Sequence, residues 1–325
     1  MLRTLLPTLA IALGVPFAQA CAPDTTTPQE QGPVLLSSAM TFSPWSQAIN
    51  LELANPGAVA GFNTAYAEGC PLSSRDGKTL FIASNRPNGY GGLDIWISTR
   101  EKTDQPWGEP VNAGEPVNSS SDDFCPTIDR DGHRFFFVSR RVVEGSCGGA
   151  DIYETRMREQ GGFDPVTNLG CEVNSAADEA SPFPLPEAGS GPVLYFSSTR
   201  PGLGVGGDIY RSESRGNRFR TPQLVPGINS TFDDGQPNVR RDGLEIVFYS
   251  TRPDVDAQGG PDIYSATRSS TSAPWSTPVN LGPKVNSAAG DTRPSLSWDG
   301  LTLYFGSSRI GRKGSDIYVS TRDRL

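Results

Sequence analysis

The sequence lacks most of the side chains that support familiar enzyme chemistry. It has a single histidine, His133, so a Ser–His or Cys–His pair has no other candidate base. Neither a C-x-x-C nor an H-E-x-x-H motif occurs, which disfavours a zinc site. Lys and Arg number 28 against 36 Asp and Glu. Because phosphate backbones and anionic lipids attract clustered basic residues, nucleic acid is excluded as a partner and a bare membrane surface is disfavoured.

Long apolar runs and helical periodicity are also absent after the first 20 residues. Residues 1–20 place Arg3 ahead of an apolar stretch and end in small residues, which is typical of a secretory signal peptide. Residues 21–41 are rich in Thr, Pro, Gln and Ser and predict a flexible tether. We therefore expect an exported protein.

Cysteine is scarce, and the five residues form an odd number for an exported chain. Cys21 follows small residues in FAQAC and resembles a lipobox cysteine that is lipidated and becomes the mature N-terminus. The alternative is ordinary signal-peptidase cleavage that leaves Cys21 free. The first interpretation places the protein in the periplasm or on the outer membrane, with a lipid anchor as its membrane contact.

A long repeat runs through the rest of the chain. The triplet Asp-Ile-aromatic occurs at spacings of 57, 57, 54 and 54 residues, each time after an apolar run that ends in S-x-R. The glycine-rich gap between arginine and aspartate varies in length. This is typical of a turn between strands and not of a phosphate-binding loop before a helix. A DG turn precedes the apolar run in four copies, with a looser EAGSG turn in the third, and an aromatic, V-N-S or I-N-S, and a proline follow the triplet. Each repeat therefore holds four short strands, named a to d here: strand a carries the proline, strand b is the apolar run before the arginine, strand c begins at the aspartate and strand d follows the aromatic.

This pattern predicts an all-β protein. Strand b is apolar at consecutive positions, as expected where neighbouring sheets cover both faces, and radial repeats of four antiparallel strands form β-propellers. The fifth copy lacks strand d, whereas Trp45, residues 49–51 and residues 62–64 carry an unmatched strand-d signature. We expect a five-bladed β-propeller of four-stranded antiparallel blades over residues 42–325, closed by the N-terminal strand that completes the last blade.

The repeats share the motif D-G-x-x-L-Y-F-x-S-x-R … G-x-D-I-Y, followed by W-x-x-P-V-N-L-G-x-x-V-N-S and D-E-x-x-P. This motif resembles the WD-type propeller repeat of TolB-like proteins. The resemblance covers residues 41–325 and implies a role in the bacterial cell envelope. A close resemblance to TolB itself would imply a six-bladed ring preceded by an α/β domain. This chain has five repeats and neither that domain nor an OmpA-type tail, so a direct role in the Tol system does not follow.

Three charged positions meet where strand a begins, strand b ends and strand c begins. An acid stands three residues before each strand-a proline, at Glu68, Asp123, Glu179, Asp234 and Asp291. The strand-b arginines are Arg86, Arg141, Arg200, Arg252 and Arg309. The strand-c aspartates are Asp94, Asp151, Asp208, Asp262 and Asp316.

These charges have two interpretations. Each arginine can bridge carboxylates at the mouth of the hairpin and serve the blade itself. Alternatively the surplus acids, with Asp122, Asp178 and Asp233 added, form an acidic loop face around the channel that attracts Ca²⁺ or a basic peptide. Apart from this Ca²⁺ no cofactor or metal is expected. Functional residues should be those that break the repeat, and few are evident.

The other cysteines fall at the same loop face. Cys70 and Cys125 occupy equivalent positions in adjacent repeats, and Cys147 and Cys171 lie in two loops of the second repeat. Four cysteines allow three connectivities. We expect Cys70–Cys125 and Cys147–Cys171.

Our main functional expectation is a monomeric, non-catalytic scaffold that binds an envelope protein or glycan through the acidic loop face. The alternative is a carbohydrate-active hydrolase that uses carboxylates at the channel mouth. Glycoside hydrolases place two carboxyl groups roughly 5 to 9.5 Å apart, and Glu68, Asp123 and Glu179 are the first candidates.

Overall fold

The computed structural model describes residues 40–54, 61–186, 191–216, 218–309 and 314–325. Within these residues the strands form five antiparallel sheets, and the innermost strands of adjacent sheets contact one another in a closed ring. The prediction of a five-bladed β-propeller is confirmed. The signal peptide, Cys21 and all but the last two residues of the tether lie outside the described residues and stay predictions.

The strands follow the predicted order. A short strand, β1 (Ile49–Asn50), and one helical turn, α1 (Leu51–Ala54), precede the first complete blade. Blade 1 consists of β2 (Glu68–Ser73), β3 (Thr79–Ser84), β4 (Asp94–Thr99) and β5 (Val111–Asn112). Blade 2 consists of β6 (Asp123–Ile128), β7 (Arg134–Ser139), β8 (Asp151–Arg156) and β9 (Thr167–Asn168).

The remaining blades repeat this plan. Blade 3 consists of β10 (Glu179–Pro186), β11 (Pro192–Ser198), β12 (Asp208–Arg215), β13 (Arg218–Phe219) and β14 (Gln223–Leu224). Blade 4 consists of β15 (Asp234–Val239), β16 (Glu245–Ser250), β17 (Asp262–Thr267) and β18 (Val279–Asn280). Blade 5 consists of β19 (Asp291–Leu296), β20 (Thr302–Ser307), β21 (Asp316–Thr321) and β1.

The two ends of the propeller meet in blade 5, as expected. Strand β1 pairs antiparallel with β21, with Ile49 opposite Val319. Trp45 is buried in the apolar cluster between blades 4 and 5, and the Arg322 guanidinium lies 4.2 Å from its ring centroid. The N-terminal strand therefore closes the ring.

The core lies between the blades. Phe135 and Phe137 in β7 pack into a cluster with Phe81 of blade 1, whereas Phe136 between them packs with Phe196 of blade 3. Successive side chains of a strand point to opposite faces, and both faces of each blade are covered. This explains the consecutive apolar positions in strand b.

The innermost strands surround a central channel. Each innermost strand has a register shift at a residue with positive φ, which stands directly before the strand-a proline. A β-bulge of this kind bends the strand and changes where its side chains point. The five residues are Cys70, Cys125, Ser181, Gln236 and Arg293. Among the residues that the structure describes, no helix is long and apolar enough to cross a membrane.

Candidate functional site

The acids that begin the innermost strands are fully buried and satisfied by neighbouring groups. Their carboxylates accept hydrogen bonds from the backbone N–H and the hydroxyl of a Ser or Thr four residues earlier, as between Ser119 and Asp123 at 2.6 and 2.7 Å. This explains why V-N-S precedes the acid at a constant spacing. The five acids are Glu68, Asp123, Glu179, Asp234 and Asp291.

The strand-b arginines hold the same acids. Each one approaches the acid of its own blade with an N to O distance between 2.5 and 3.3 Å. The same guanidinium also donates to backbone carbonyls of the preceding segment, as Arg252 does to Ile228 at 2.8 Å. The arginines Arg86, Arg141, Arg200, Arg252 and Arg309 thus pin neighbouring segments together, as the structural interpretation expects.

The strand-c aspartates close the turns between strands b and c. In each case Oδ2 accepts from a backbone N–H of the turn or an amide of strand d, as with Gln258 N–H and Asn280 Nδ2 at Asp262. Burial raises the pKa of Asp94, Asp208 and Asp262. The five aspartates, Asp94, Asp151, Asp208, Asp262 and Asp316, are all buried.

The placement of these fifteen side chains changes the interpretation of the loop face. Their acids are buried and their arginines are largely covered. Each arginine is paired with a carboxylate of its blade, which reduces the charge that reaches solvent. These positions therefore hold blade edges together, and a ligand in the channel would meet other residues first.

The residues next to these buried pairs differ from blade to blade, and we call six of them the channel mouth: Asp122, Arg140, Asp178, Asp233, Tyr249 and Arg293. Asp122, Arg140 and Arg293 line one cavity, Asp178 is hydrogen-bonded to Arg140, and Asp233 is hydrogen-bonded to Tyr249. Asp122, Asp178 and Asp233 directly precede the buried acids in blades 2 to 4, whereas Ala67 and Gly290 stand at this position in the other two blades. The Asp122 and Asp178 side chains are 38% and 42% exposed. These two carboxylates are therefore accessible to solvent, whereas the acids that directly follow them in the sequence are buried.

Arg140 is the clearest departure from the repeat. In the other four blades its position holds Asn85, Thr199, Thr251 or Ser308, whose side-chain oxygen accepts the backbone N–H of the residue before the buried acid. An arginine has no acceptor for this bond. Its guanidinium donates instead to both oxygens of Asp178, at 3.2 and 2.9 Å.

The same guanidinium also reaches Asp122. Its Nε lies 3.8 Å from Asp122 Oδ2, and the pKa of Arg140 is raised by its hydrogen bonds to Asp178 and by both carboxylates. Since one planar guanidinium contacts both groups, the two carboxylates are closer than the roughly 9.5 Å limit for carboxyl pairs in glycoside hydrolases. Blade 2 thus gives up a structural hydrogen bond and gains a link between two half-exposed acids.

Tyr249 in blade 4 forms a second departure from the repeat. Its hydroxyl donates to Asp233 Oδ1 at 3.0 Å, and the Gly207 N–H donates to the same oxygen at 2.7 Å. A Cβ at Gly235 would lie 2.7 Å from the Tyr249 ring, so a glycine is needed there. Burial raises the pKa of the Tyr249 phenol, and it remains a proton donor to Asp233 at neutral pH.

A cavity of about 260 Å³ lies beside Arg140, lined by Asp122, Phe124, Arg140 and Arg293 among others. The channel continues past the bulge residues to an apolar cup at the opposite end, where Trp298 lies between the guanidinium groups of Arg75 and Arg241.

The cysteines pair as expected. Cys70 bonds to Cys125 between blades 1 and 2, and Cys147 bonds to Cys171 within blade 2. Both predicted disulfides are confirmed.

Histidine and metal sites add no further candidate. His133 is exposed beside its DG turn. Across the described parts of the chain, no three His, Cys, Asp or Glu residues cluster in a way that could hold a metal ion. The expectation of Ca²⁺ at the channel mouth therefore finds no ready ligand set there.

No known protein family and no curated protein matches the sequence. Solved structures do match the fold. An α-L-arabinofuranosidase from Lactobacillus brevis has a TM-score of 0.55 and 13% identity over 82% of this chain and 93% of that chain. The endo-arabinase from Bacteroides thetaiotaomicron has a TM-score of 0.52 and 14% identity over 80% and 96%. A GH43 endo-arabinanase from Bacillus licheniformis has a TM-score of 0.51 and 13% identity over 82% and 96%.

These likenesses correct two expectations. The similar structures are mainly arabinanase and arabinofuranosidase propellers, and no family model or curated relative supports a WD-type repeat, so the assignment to TolB-like proteins is wrong. The motif residues that suggested it are those that hold blade edges together, and they indicate a blade and not a family. The expectation of a non-catalytic envelope scaffold is also wrong, because the similar structures are mainly arabinanases and α-L-arabinofuranosidases.

Proposed function

We propose that this protein is a carbohydrate-active hydrolase that binds a glycan at the channel mouth and uses Asp122, Asp178 and Asp233 there. The observation that carries the proposal is Arg140, which breaks the repeat and joins two half-exposed carboxylates. Neither Asp122 nor Asp178 is needed to fill a core. Supporting this, the similar five-bladed structures include arabinanases and an arabinofuranosidase in complex with cellotriose.

The chemistry requires one carboxyl group that protonates the leaving oxygen and a second that activates water or attacks the sugar. The buried acids Glu68, Asp123 and Glu179 do not fit this role, because Ser or Thr groups and an arginine already occupy their oxygens. Asp122 fits it better. Its Oδ1 accepts the Leu93 N–H, and its Oδ2 has, among the described residues, only the longer contact to Arg140.

A polysaccharide screen tests the proposal. The full chain is incubated with arabinan, galactan, xylan and pectin, and released reducing ends are measured for the wild type and for Asp122→Asn, Asp178→Asn and Asp233→Asn. At least one polysaccharide should be cleaved, and at least one substitution should lower kcat/KM by about 100-fold or more, the usual contribution of a general acid or base.

Asp131→Asn serves as the matched control, because Asp131 is an exposed acid in the DG turn at the other end of blade 2. It should leave turnover unchanged. Absence of cleavage on every substrate, or cleavage that all three variants at the channel mouth retain, would reject the proposal.

A further inference from the structure

Arg293 is the charged member of the ring of bulge residues around the channel. The other four positions hold Cys70, Cys125, Ser181 and Gln236. All of them line the narrow part of the channel, and Arg293 also lines the cavity at the channel mouth. One blade therefore places a guanidinium beside the axis where the others place small or neutral side chains.

The space for this side chain comes from glycines of neighbouring strands. A Cβ at Gly69 would lie 2.9 Å from Arg293 Cδ, and a Cβ at Gly306 would lie 3.9 Å from its Nη1. The Arg293 backbone N–H donates to Gln236 Oε1 at 2.8 Å, which holds the bulge in place. The side chain is thus directed across the channel by its surroundings.

The Arg293 guanidinium has no carboxylate partner in the part of the chain that the structure describes. No hydrogen bond or ion pair joins it to a described residue, in contrast to the five strand-b arginines, each paired with an acid. Burial lowers its pKa, and the Tyr249 phenol is the ionisable group that acts in the opposite direction. An unpaired cation in a partly enclosed site is unfavourable, and an incoming anion would relieve this cost.

We propose that the Arg293 guanidinium binds an anionic group on the sugar chain, so that the ligand is an acidic glycan such as one containing uronic acid. The planar guanidinium can hold a carboxylate through two parallel hydrogen bonds. This inference rests on the proposed function, because Arg293 and Asp122 line the same cavity. It deepens that function by naming the substrate class.

The charges nearby are compatible with an anionic ligand. Arg140 faces Asp122 and Asp178 and offsets one of their two charges, and Asp233 accepts hydrogen bonds from Tyr249 and Gly207. The acids that begin the innermost strands are each paired with an arginine. An acidic sugar that approaches Arg293 therefore meets carboxylates that are already paired or hydrogen-bonded.

Calorimetric titration of the full chain with three oligosaccharides tests the inference. These are an oligogalacturonate, a neutral galactan oligosaccharide of the same length and a sulfated galactan oligosaccharide. The wild type should bind at least one acidic ligand about tenfold more tightly than the neutral one, as expected for a charge-assisted hydrogen bond. Preference for the uronate or for the sulfated ligand identifies which anionic group is bound.

Arg293→Gln should remove the preference, whereas Arg241→Gln, at the opposite end of the channel, should keep it. If Arg293→Gln does not fold, Gly69→Ala provides a second test, since its Cβ would displace the Arg293 side chain. Equal affinity for neutral and acidic ligands, or a preference that survives both Arg293→Gln and Gly69→Ala, overturns the inference.

The titration does not depend on turnover, so the two proposals can fail separately. Binding of the acidic ligand through Arg293 without hydrolysis would reject the hydrolase and keep the acidic ligand. Hydrolysis of a neutral glycan at a rate that Arg293→Gln leaves unchanged would keep the hydrolase and reject the acidic ligand.

Discussion

Arg140 Nη2 lies 2.9 Å from Asp178 Oδ2, across the gap between blade 2 and blade 3. Replacing Arg140 by Thr would restore the residue that blades 3 and 4 carry at this position, Thr199 and Thr251. We expect the melting temperature of Arg140→Thr to stay the same or rise, because a hydroxyl can accept the Asp122 N–H and exposed ion pairs contribute roughly 0 to 1 kcal/mol.

Activity should respond in the opposite direction. If the channel mouth acts as proposed, Arg140→Thr loses turnover while it gains or keeps stability, since Asp122 and Asp178 are no longer held together. Thermal unfolding and reducing-end release on the same preparation provide the measurement. A large fall in melting temperature would show that Arg140 is a structural residue after all.

Breaking the buried ion pair of Asp123 and Arg141 should lower the free energy of unfolding much more than breaking an exposed ion pair does. Asp123 is fully buried and lies 2.7 Å from Arg141 Nη2. Removal of one partner of a buried pair leaves a buried charge uncompensated, so Asp123→Asn should lower the free energy of unfolding by about 3 to 5 kcal/mol. Urea unfolding at neutral pH measures this value.

Asp164 offers the matched control in the same blade. Its ion pair with Arg158, at 2.8 Å, joins side chains that are 45% and 55% exposed. Asp164→Asn should cost about 1 kcal/mol or less. Similar losses in the two variants would contradict the structural role assigned to the buried acids.

Glu68 should make the stability of the protein depend on pH. Burial raises its pKa above the ordinary value of 4.5, and the hydrogen bonds of Thr64 and the charge of Arg86 offset this only in part. The folded chain then holds the proton more tightly than the unfolded chain. Stability from this group is therefore greatest below pH 4.5 and is lost as the pH rises through the raised pKa.

Glu68→Gln cannot ionise and lacks this dependence. As the pH rises from 4 to neutral, the variant should become more stable relative to the wild type, whichever of the two has the larger free energy of unfolding at pH 4. Denaturant unfolding of both proteins across this range measures the difference. A difference in unfolding free energy that is the same at every pH would mean that Glu68 has the same pKa in the folded and the unfolded chain.

Much of the architecture could be predicted from the sequence because the repeat carries its own geometry. The S-x-R and Asp-Ile-aromatic motifs mark the hairpin in every blade, and the strand-d signature around Ile49 correctly predicted closure of the ring. Both disulfides followed from the positions of the cysteines in the repeat. These features depend on local spacing, which the sequence displays directly.

The candidate site was harder to predict because it depends on which of two adjacent acids faces the channel. Asp122 and Asp123 have the same chemistry, yet one is half-exposed and the other is buried beneath Arg141. The bulge at Cys125 and the bond to Ser119 decide this, and both are properties of the folded strand. Arg140, Tyr249 and Arg293 were missed, although aligning the five repeats by position would have revealed each as an exception.

The pairing of β1 with β21 has a consequence for synthesis of the chain. Blade 5 takes its outer strand from the first residues of the propeller and its other three strands from the last, so it cannot form until translation has reached β21. Ribosome-bound and prematurely terminated chains expose the unpaired faces of blades 1 and 4 to chaperones and proteases. The ring can therefore close only after β21 has been added to blade 5.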